Sequence, residues 1–197
     1  MMILSIIILI ISIVFHELGH SITAHCLGDP TAKQQGRLSL NPFVHLDLFG
    51  SFVLPVVLWI FNVGFLFGWA KPVVVNPVFF KSKRYGIVWV ALSGPLVNLL
   101  LMFVAIWIWK LGSSVMIVNF AQQLYQINIV LFIFNLIPIP PLDGSRVVAG
   151  FMPQFIRFYW EKLDQYGVFI IVLFIMANGV DFILSYFIPL LSNFILF

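Results

Sequence analysis

The chain has 197 residues, of which 62% are hydrophobic and only 9% charged, with a formal net charge of +3 and a single cysteine, Cys26. Soluble domains carry about 25% charged residues, so this composition excludes an ordinary soluble fold, a nucleic-acid-binding patch and any intramolecular disulfide. It predicts an all-α integral membrane protein, one membrane-embedded domain over 1–197, whose basic residues border apolar spans and face lipid headgroups.

The first apolar stretch, residues 2–27, carries no charge from Met1 to Phe15 and only Ser5 and Ser12 as polar residues. It lacks the basic leading region of a signal peptide and runs directly into an HELGH pentapeptide, His16 to His20. Gly28, Asp29 and Pro30 supply the stop signal. A polar segment, 31–50, follows. Residues 51–70 are apolar but broken by Pro55, Asn62, Gly64 and Gly68, which fits either a span or a re-entrant hairpin. After a basic connector, 71–85, come two runs long enough to cross a bilayer, 86–109 and 115–137, the second opening onto PIPPLDG at 138–144. Residues 146–166, with Arg157, Glu161, Lys162 and Asp164, read as interfacial, and a last apolar run covers 167–190. Asp181 interrupts that run as a pore-side or interface residue. The pattern predicts a polytopic bundle of about four full transmembrane helices plus one re-entrant or additional hydrophobic segment, 51–70.

On a helix, four residues advance about 400°, so His16 and His20 project from one face, one turn apart, and can share one divalent metal. Glu17 points about 100° away, too far round for a third ligand but suited to act as general base on a catalytic water. Placing ionisable groups in hydrocarbon costs roughly 2.5 to 3.5 kcal/mol per charged residue. Coordination offsets that cost, whereas ordinary packing does not.

Catalytic zinc takes three protein ligands and keeps one position open. With Glu17 assigned as base, Asp29 just beyond the helix end, and Glu161 and Asp164 in the polar segment before the last run, the remaining acids are Asp47, Asp143 and Asp181. Asp143 follows prolines at 138, 140 and 141, which remove backbone donors and stop the helix from continuing regularly. Only a protein-lined or wet cavity tolerates such a break at membrane depth. The plainer reading of Asp143 is a surface Asp-Gly turn after a helix end, which would win without HELGH. His45 and Asp47, two residues apart in a polar loop, are expected to make turn hydrogen bonds, and His25 to be interfacial.

Five motifs in order extend this pattern: FHELGH at 15–20, RLSLNPFVHLD at 37–47, FGWAKPVVVNP at 67–77, ALSGPLVNLLL at 91–101 and FNLIPIPPLDGSR at 134–146. In these the chain resembles the site-2 protease family of intramembrane zinc metalloproteases, in particular its compact bacterial and archaeal branch without a PDZ or CBS domain. The resemblance implies hydrolysis of peptide bonds within or near transmembrane segments of membrane-protein substrates. It implies one Zn2+ per chain, with His16, His20 and Asp143 as ligands and Glu17 as catalytic acid/base. It marks Asn98 and Asn135 as polar groups lining the site, able to hold an extended substrate or a developing oxyanion; as plain structure they would be interhelical hydrogen bonds. Val74 departs from the proline expected in the connector, which bears on that loop's shape and not on the chemistry.

A shared metal sets the topology. At 1.5 Å per residue His16 lies about 22 Å from the start of its helix, leaving roughly 8 Å of a 30 Å core beyond it. Asp143 must reach the same depth, so the helix from Val115 is expected to run parallel to the first, and residues 86–109 antiparallel to both. Residues 28–85 then begin and end on one side. If 51–70 crosses fully, the 10 Lys and Arg divide 3 (Lys33, Arg37, Lys110) to 7; if it re-enters, they divide 9 to 1, with Lys110 alone opposite. The positive-inside rule prefers the second division, which makes this a multi-pass cell-membrane protein whose active site opens to the cytoplasm. Three other readings compete: a prenyl-protein-processing type of metalloprotease, for which only Glu161 is available as a later glutamate ligand; a membrane metal-ion transporter or metal-binding protein with the histidines on an ion path; and a catalytically silent scaffold for transmembrane helices.

Overall fold

The computed structural model describes residues 2–61 and 68–196, and among these it contains helices and turns but no strand beyond one isolated antiparallel bridge, Leu46 to Ala70. Helix α1 covers Met2–Cys26, and a single turn, α2, covers Thr31–Gln34. A widened turn at Phe49–Val53 leads into α3, Leu54–Ile60. Then come α4, Lys83–Leu111, and α5, Val115–Leu136. The C-terminal part holds α6, Asp143–Phe151, α7, Gln154–Lys162, α8, Gly167–Met176, and α9, Gly179–Leu196. Three helices are long and apolar enough to cross a membrane, Ile3–Cys26, Lys83–Leu111 and Val115–Leu136, and a fourth crossing exists if the bent pair Gln154–Met176 and Gly179–Leu191 counts as one.

The centre is a three-helix unit of α1, α4 and α5. Apolar packing between them gathers Ile8, Met102, Ala105, Ile106, Leu124 and Ile129. In lipid there is no hydrophobic drive between helices, so close backbone approach and interhelical hydrogen bonds carry association. Small residues permit that approach: a Cβ on Gly19 would meet Val97 Cγ2 at 2.9 Å and the Ser93 carbonyl at 3.0 Å. The contact order gives directions. Ser5 pairs with Gln123 and Ser12 with Asn128, so α1 and α5 run parallel. His16 meets Asn98 while His20 meets Val90, so α4 runs antiparallel to both, as the shared-metal argument requires.

Three local features differ from or refine the reading of the sequence. The last apolar run is not one straight helix: α8 stops at Met176, Asn178 takes a left-handed φ of 57°, and the chain bends by 72°. Asparagine tolerates that conformation because its short amide hydrogen-bonds locally. Asp181 lies exposed in the first turn of α9, just past the bend. The 146–166 segment is divided by Met152 and Pro153, where Pro153 caps α7. Around 51–70, the two flanks meet: Trp69 N donates to Gly50 O at 3.3 Å and Lys71 N to His45 O at 2.8 Å. Asn62 and Gly64, two of the expected interruptions, lie outside the described residues.

Candidate metal centre

Helix α1 brings His16 and His20 to its buried face one turn apart, their rings 4.6 Å between centroids and nearly perpendicular at 87°. The chain leaves α5 at Leu136, passes through a proline-rich turn with a cis Pro140–Pro141 bond, and re-enters helix at Asp143. Gly144 is required at that re-entry, since a Cβ there would fall against the Leu136 carbonyl. The result is a triangle of ligand atoms: His16 Nε2 to His20 Nε2 3.0 Å, His16 Nε2 to Asp143 Oδ2 3.2 Å, His20 Nε2 to Asp143 Oδ2 3.3 Å. A tetrahedral zinc with bonds of about 2.0–2.2 Å separates its ligand atoms by about 3.3–3.6 Å. The donor set and spacing therefore fit zinc, with one position left over. Among the described residues this is the group of His, Cys, Asp and Glu able to hold an ion, and Asp47 and Asp181 lie outside it.

Each imidazole is oriented from behind. His16 Nδ1 lies 2.6 Å from Asn98 Oδ1, and His20 Nδ1 lies 2.7 Å from the Val90 carbonyl. Carbonyl oxygens only accept, so both Nδ1 atoms carry the proton and both Nε2 lone pairs face the centre. Ser93 Oγ donates to the same Val90 carbonyl at 2.6 Å. Proline at 95 leaves the Ala91 carbonyl without its helical donor in this stretch of α4. Gly94 keeps α4 close: a Cβ at that position would collide with His20 Nε2 and His16 Cε1.

A cavity of about 700 Å³ opens in front of the triangle. Glu17, half-buried, lines it beside His16, as does Asn135, whose Nδ2 donates to the Leu131 carbonyl at 3.0 Å. Asn98 does not line it; fully buried, it sits behind His16 and donates onward to Asn128 Oδ1 at 2.9 Å. Of the two asparagines, then, Asn135 faces the cavity and Asn98 faces the His16 ring. Asn128 escapes sequence reasoning, because it is one of several amides along α5, with Asn119, Gln122, Gln123, Gln126 and Asn135, and no motif singles it out.

The far wall of the cavity is the connector after residue 67, with Trp69, Pro72, Val73 and Val75 facing in. It is pinned at both ends. Near Trp69, Ser51 Oγ donates to the Trp69 carbonyl at 2.9 Å, and the Arg37 guanidinium reaches the Val44 and Lys71 carbonyls. At the other end, Asp29 accepts from Asn76 N at 2.6 Å and from Thr31 N at 2.9 Å. Burial pushes the Asp29 carboxyl up, but hydrogen bonds from Thr31 and Asn76 outweigh it and hold the group below the usual carboxylate range. His45 and Asp47 make turn bonds: His45 Nε2 donates to the Ser39 carbonyl at 2.8 Å and Asp47 Oδ1 accepts from Gly50 N at 2.7 Å. At the rim, Glu161 is paired with Arg157 at 2.7 Å and lies outside the ligand triangle, which leaves the prenyl-processing pattern without its glutamate. His25 is exposed at the end of α1.

Residues 4–178 match the family model described as Peptidase family M50. The chain is 40% identical over 185 residues to the Bacillus subtilis (strain 168) protein named "Putative zinc metalloprotease YwhC", covering 88% of this chain and 81% of that one. It is 27% identical over 177 residues to "Putative zinc metalloprotease Rip2" of Mycolicibacterium smegmatis (strain ATCC 700084 / mc(2)155), covering 87% of this chain and 66% of that one. No solved structure matches. With the match spanning most of the sequence and a zinc-compatible triangle set among apolar helices, the chain belongs to Peptidase family M50, the site-2 proteases, and is an intramembrane zinc metalloprotease.

Proposed function

We propose that this chain, as one metalloprotease domain over 1–197, hydrolyses peptide bonds within or near transmembrane segments of membrane-protein substrates, with His16, His20 and Asp143 holding the ion and Glu17 moving the proton. The observation that carries this reading is the triangle of Nε2, Nε2 and Oδ2 atoms with edges of 3.0 to 3.3 Å at the floor of the cavity. Zinc bound there would supply a Lewis acid to polarise the scissile carbonyl and lower the pKa of a water to about 7. Glu17 would take a proton from the attacking water as its C–O bond forms and return it to the amine nitrogen as the C–N bond then breaks. A helical substrate shields its carbonyls by its own hydrogen bonds and must be locally unwound first. Asn135, whose amide has Leu131 O as its partner among the described residues, can hold the backbone of such an unwound segment.

The proposed topology has the cavity opening to the cytoplasm. It is supported by the 9-to-1 division of Lys and Arg and by the hydrogen bonds that join Gly50 to Trp69 and His45 to Lys71, which bring both flanks of the 51–70 segment to one side. On this reading that segment re-enters, and the bent pair at the C-terminus is the fourth crossing.

The test is Glu17→Gln in the full chain. The variant should bind one zinc per chain by elemental analysis yet leave a purified single-span substrate uncut, and single-span fragments should accumulate in membranes of a host carrying it. Cleavage that survives both this substitution and a zinc chelator would refute the reading. A metal transporter, by contrast, would keep much of its metal flux.

A further inference from the structure

Behind His16 a row of amides crosses all three central helices. Asn98 Oδ1 faces His16 Nδ1, Asn98 Nδ2 donates to Asn128 Oδ1 at 2.9 Å, and Asn128 Nδ2 donates to both Ser12 Oγ at 2.9 Å and the Leu124 carbonyl at 2.8 Å. Ser12, Asn98 and Asn128 are all fully buried. An amide alone can turn over, exchanging oxygen for nitrogen, and a hydroxyl can donate or accept, so neither fixes a direction. A backbone carbonyl can only accept. Because the Leu124 carbonyl takes an N–H from Asn128, the Asn128 oxygen must face Asn98; Asn98 must then present its nitrogen to Asn128 and its oxygen to His16.

We propose that Asn128 is a positioning residue of the metal centre: acting through Asn98, it fixes the proton of His16 on Nδ1 and so keeps the Nε2 lone pair turned to the ion. The inference rests on the reading of His16 as a ligand. Without Asn128, Asn98 is free to turn, and its NH2 group would then face Nδ1 and favour the opposite tautomer. Removing a partner of this kind typically lowers metal affinity 10- to 100-fold, and the effect of Asn128, one bond further back, is expected near the lower end, about 10-fold. His20 needs no such relay, since its Nδ1 meets the Val90 carbonyl directly.

The experiment uses the full chain purified in micelles, as wild type, N128L, N98A, the double variant, S12A and H16A. Zinc affinity is read by competition with a chelator, thermal unfolding without metal, and exchange of the His16 Nδ1 proton by 15N-resolved NMR of the zinc-loaded protein. The proposal expects N128L to bind zinc about 10-fold more weakly, with faster exchange of that proton, and to add no loss once Asn98 is gone. S12A, which keeps the Leu124 carbonyl as the acceptor that sets the direction, should leave both readouts near wild type, and N128A serves if N128L does not fold. Wild-type zinc affinity in N128L with only a lowered melting temperature would overturn the proposal, as would losses from N128L and N98A that multiply. If H16A retains zinc at full affinity, the ligand assignment itself is wrong.

Discussion

The wall of the cleft built from α1, α4 and α5 is held by side chains buried against one another, whereas the wall opposite, the connector through Trp69 to Asn76, is held through its backbone, by the 45–50 loop and by the side chains of Ser51, Arg37 and Asp29. A metal centre needs its ligand atoms fixed to within a few tenths of an ångström, and interdigitated side chains on three helices provide that. The connector faces the site but none of the three candidate ligand atoms belongs to it, so a change there reaches the triangle only indirectly.

Breaking the fixed wall should cost most. Glu17→Gln is expected to lower the cleavage rate about 10²- to 10⁴-fold, the range for losing a general base, with zinc content unchanged; equal loss of zinc would mean that Glu17 holds the ion. Gly94→Ala follows, because its methyl collides with both imidazoles: zinc affinity should fall at least about 10-fold, as when a ligand-orienting contact is lost, which chelator competition would measure.

The connector wall should respond differently. Asp29→Ala should lower stability by about 1–3 kcal/mol through the orphaned amides of Thr31 and Asn76, and raise hydrogen exchange near Asn76, while zinc affinity stays near wild type. The folded-state pKa of Asp29 is depressed, so its contribution is present above the ordinary carboxylate range and fades as pH falls below it. The stability gap between wild type and Asp29→Asn should therefore close on acidification in paired melts, and a gap that widens would contradict the staple. The smallest effect belongs to the rim: Glu161→Gln breaks a largely exposed i,i+4 pair with Arg157 and should shift stability by no more than about 0.5 kcal/mol.

Much of the fixed wall is legible from residues alone. HELGH declares its two histidines by helical spacing, and the prolines at 138, 140 and 141 mark the place where a carboxylate can be offered. The direction of Asn98 is not legible, since the same side chain could face the cavity or the ring behind it, and only packing decides. Asn128 lacks any motif and becomes informative only through the Leu124 carbonyl and Asn98. The bend at Asn178 was signalled by an Asn-Gly pair, but the surrounding apolar residues outweigh two residues in any hydropathy reading. Asp29 reads as a helix stop, and its tie to Asn76 spans a separation that no local pattern encodes.

The order in which the triangle's corners occur along the chain has a consequence for biosynthesis. Both imidazoles lie on α1, while the carboxylate follows only after α4 and α5 have been made. With the proposed ligands, a nascent polypeptide therefore cannot complete its grip on the ion until the turn after α5 has been translated.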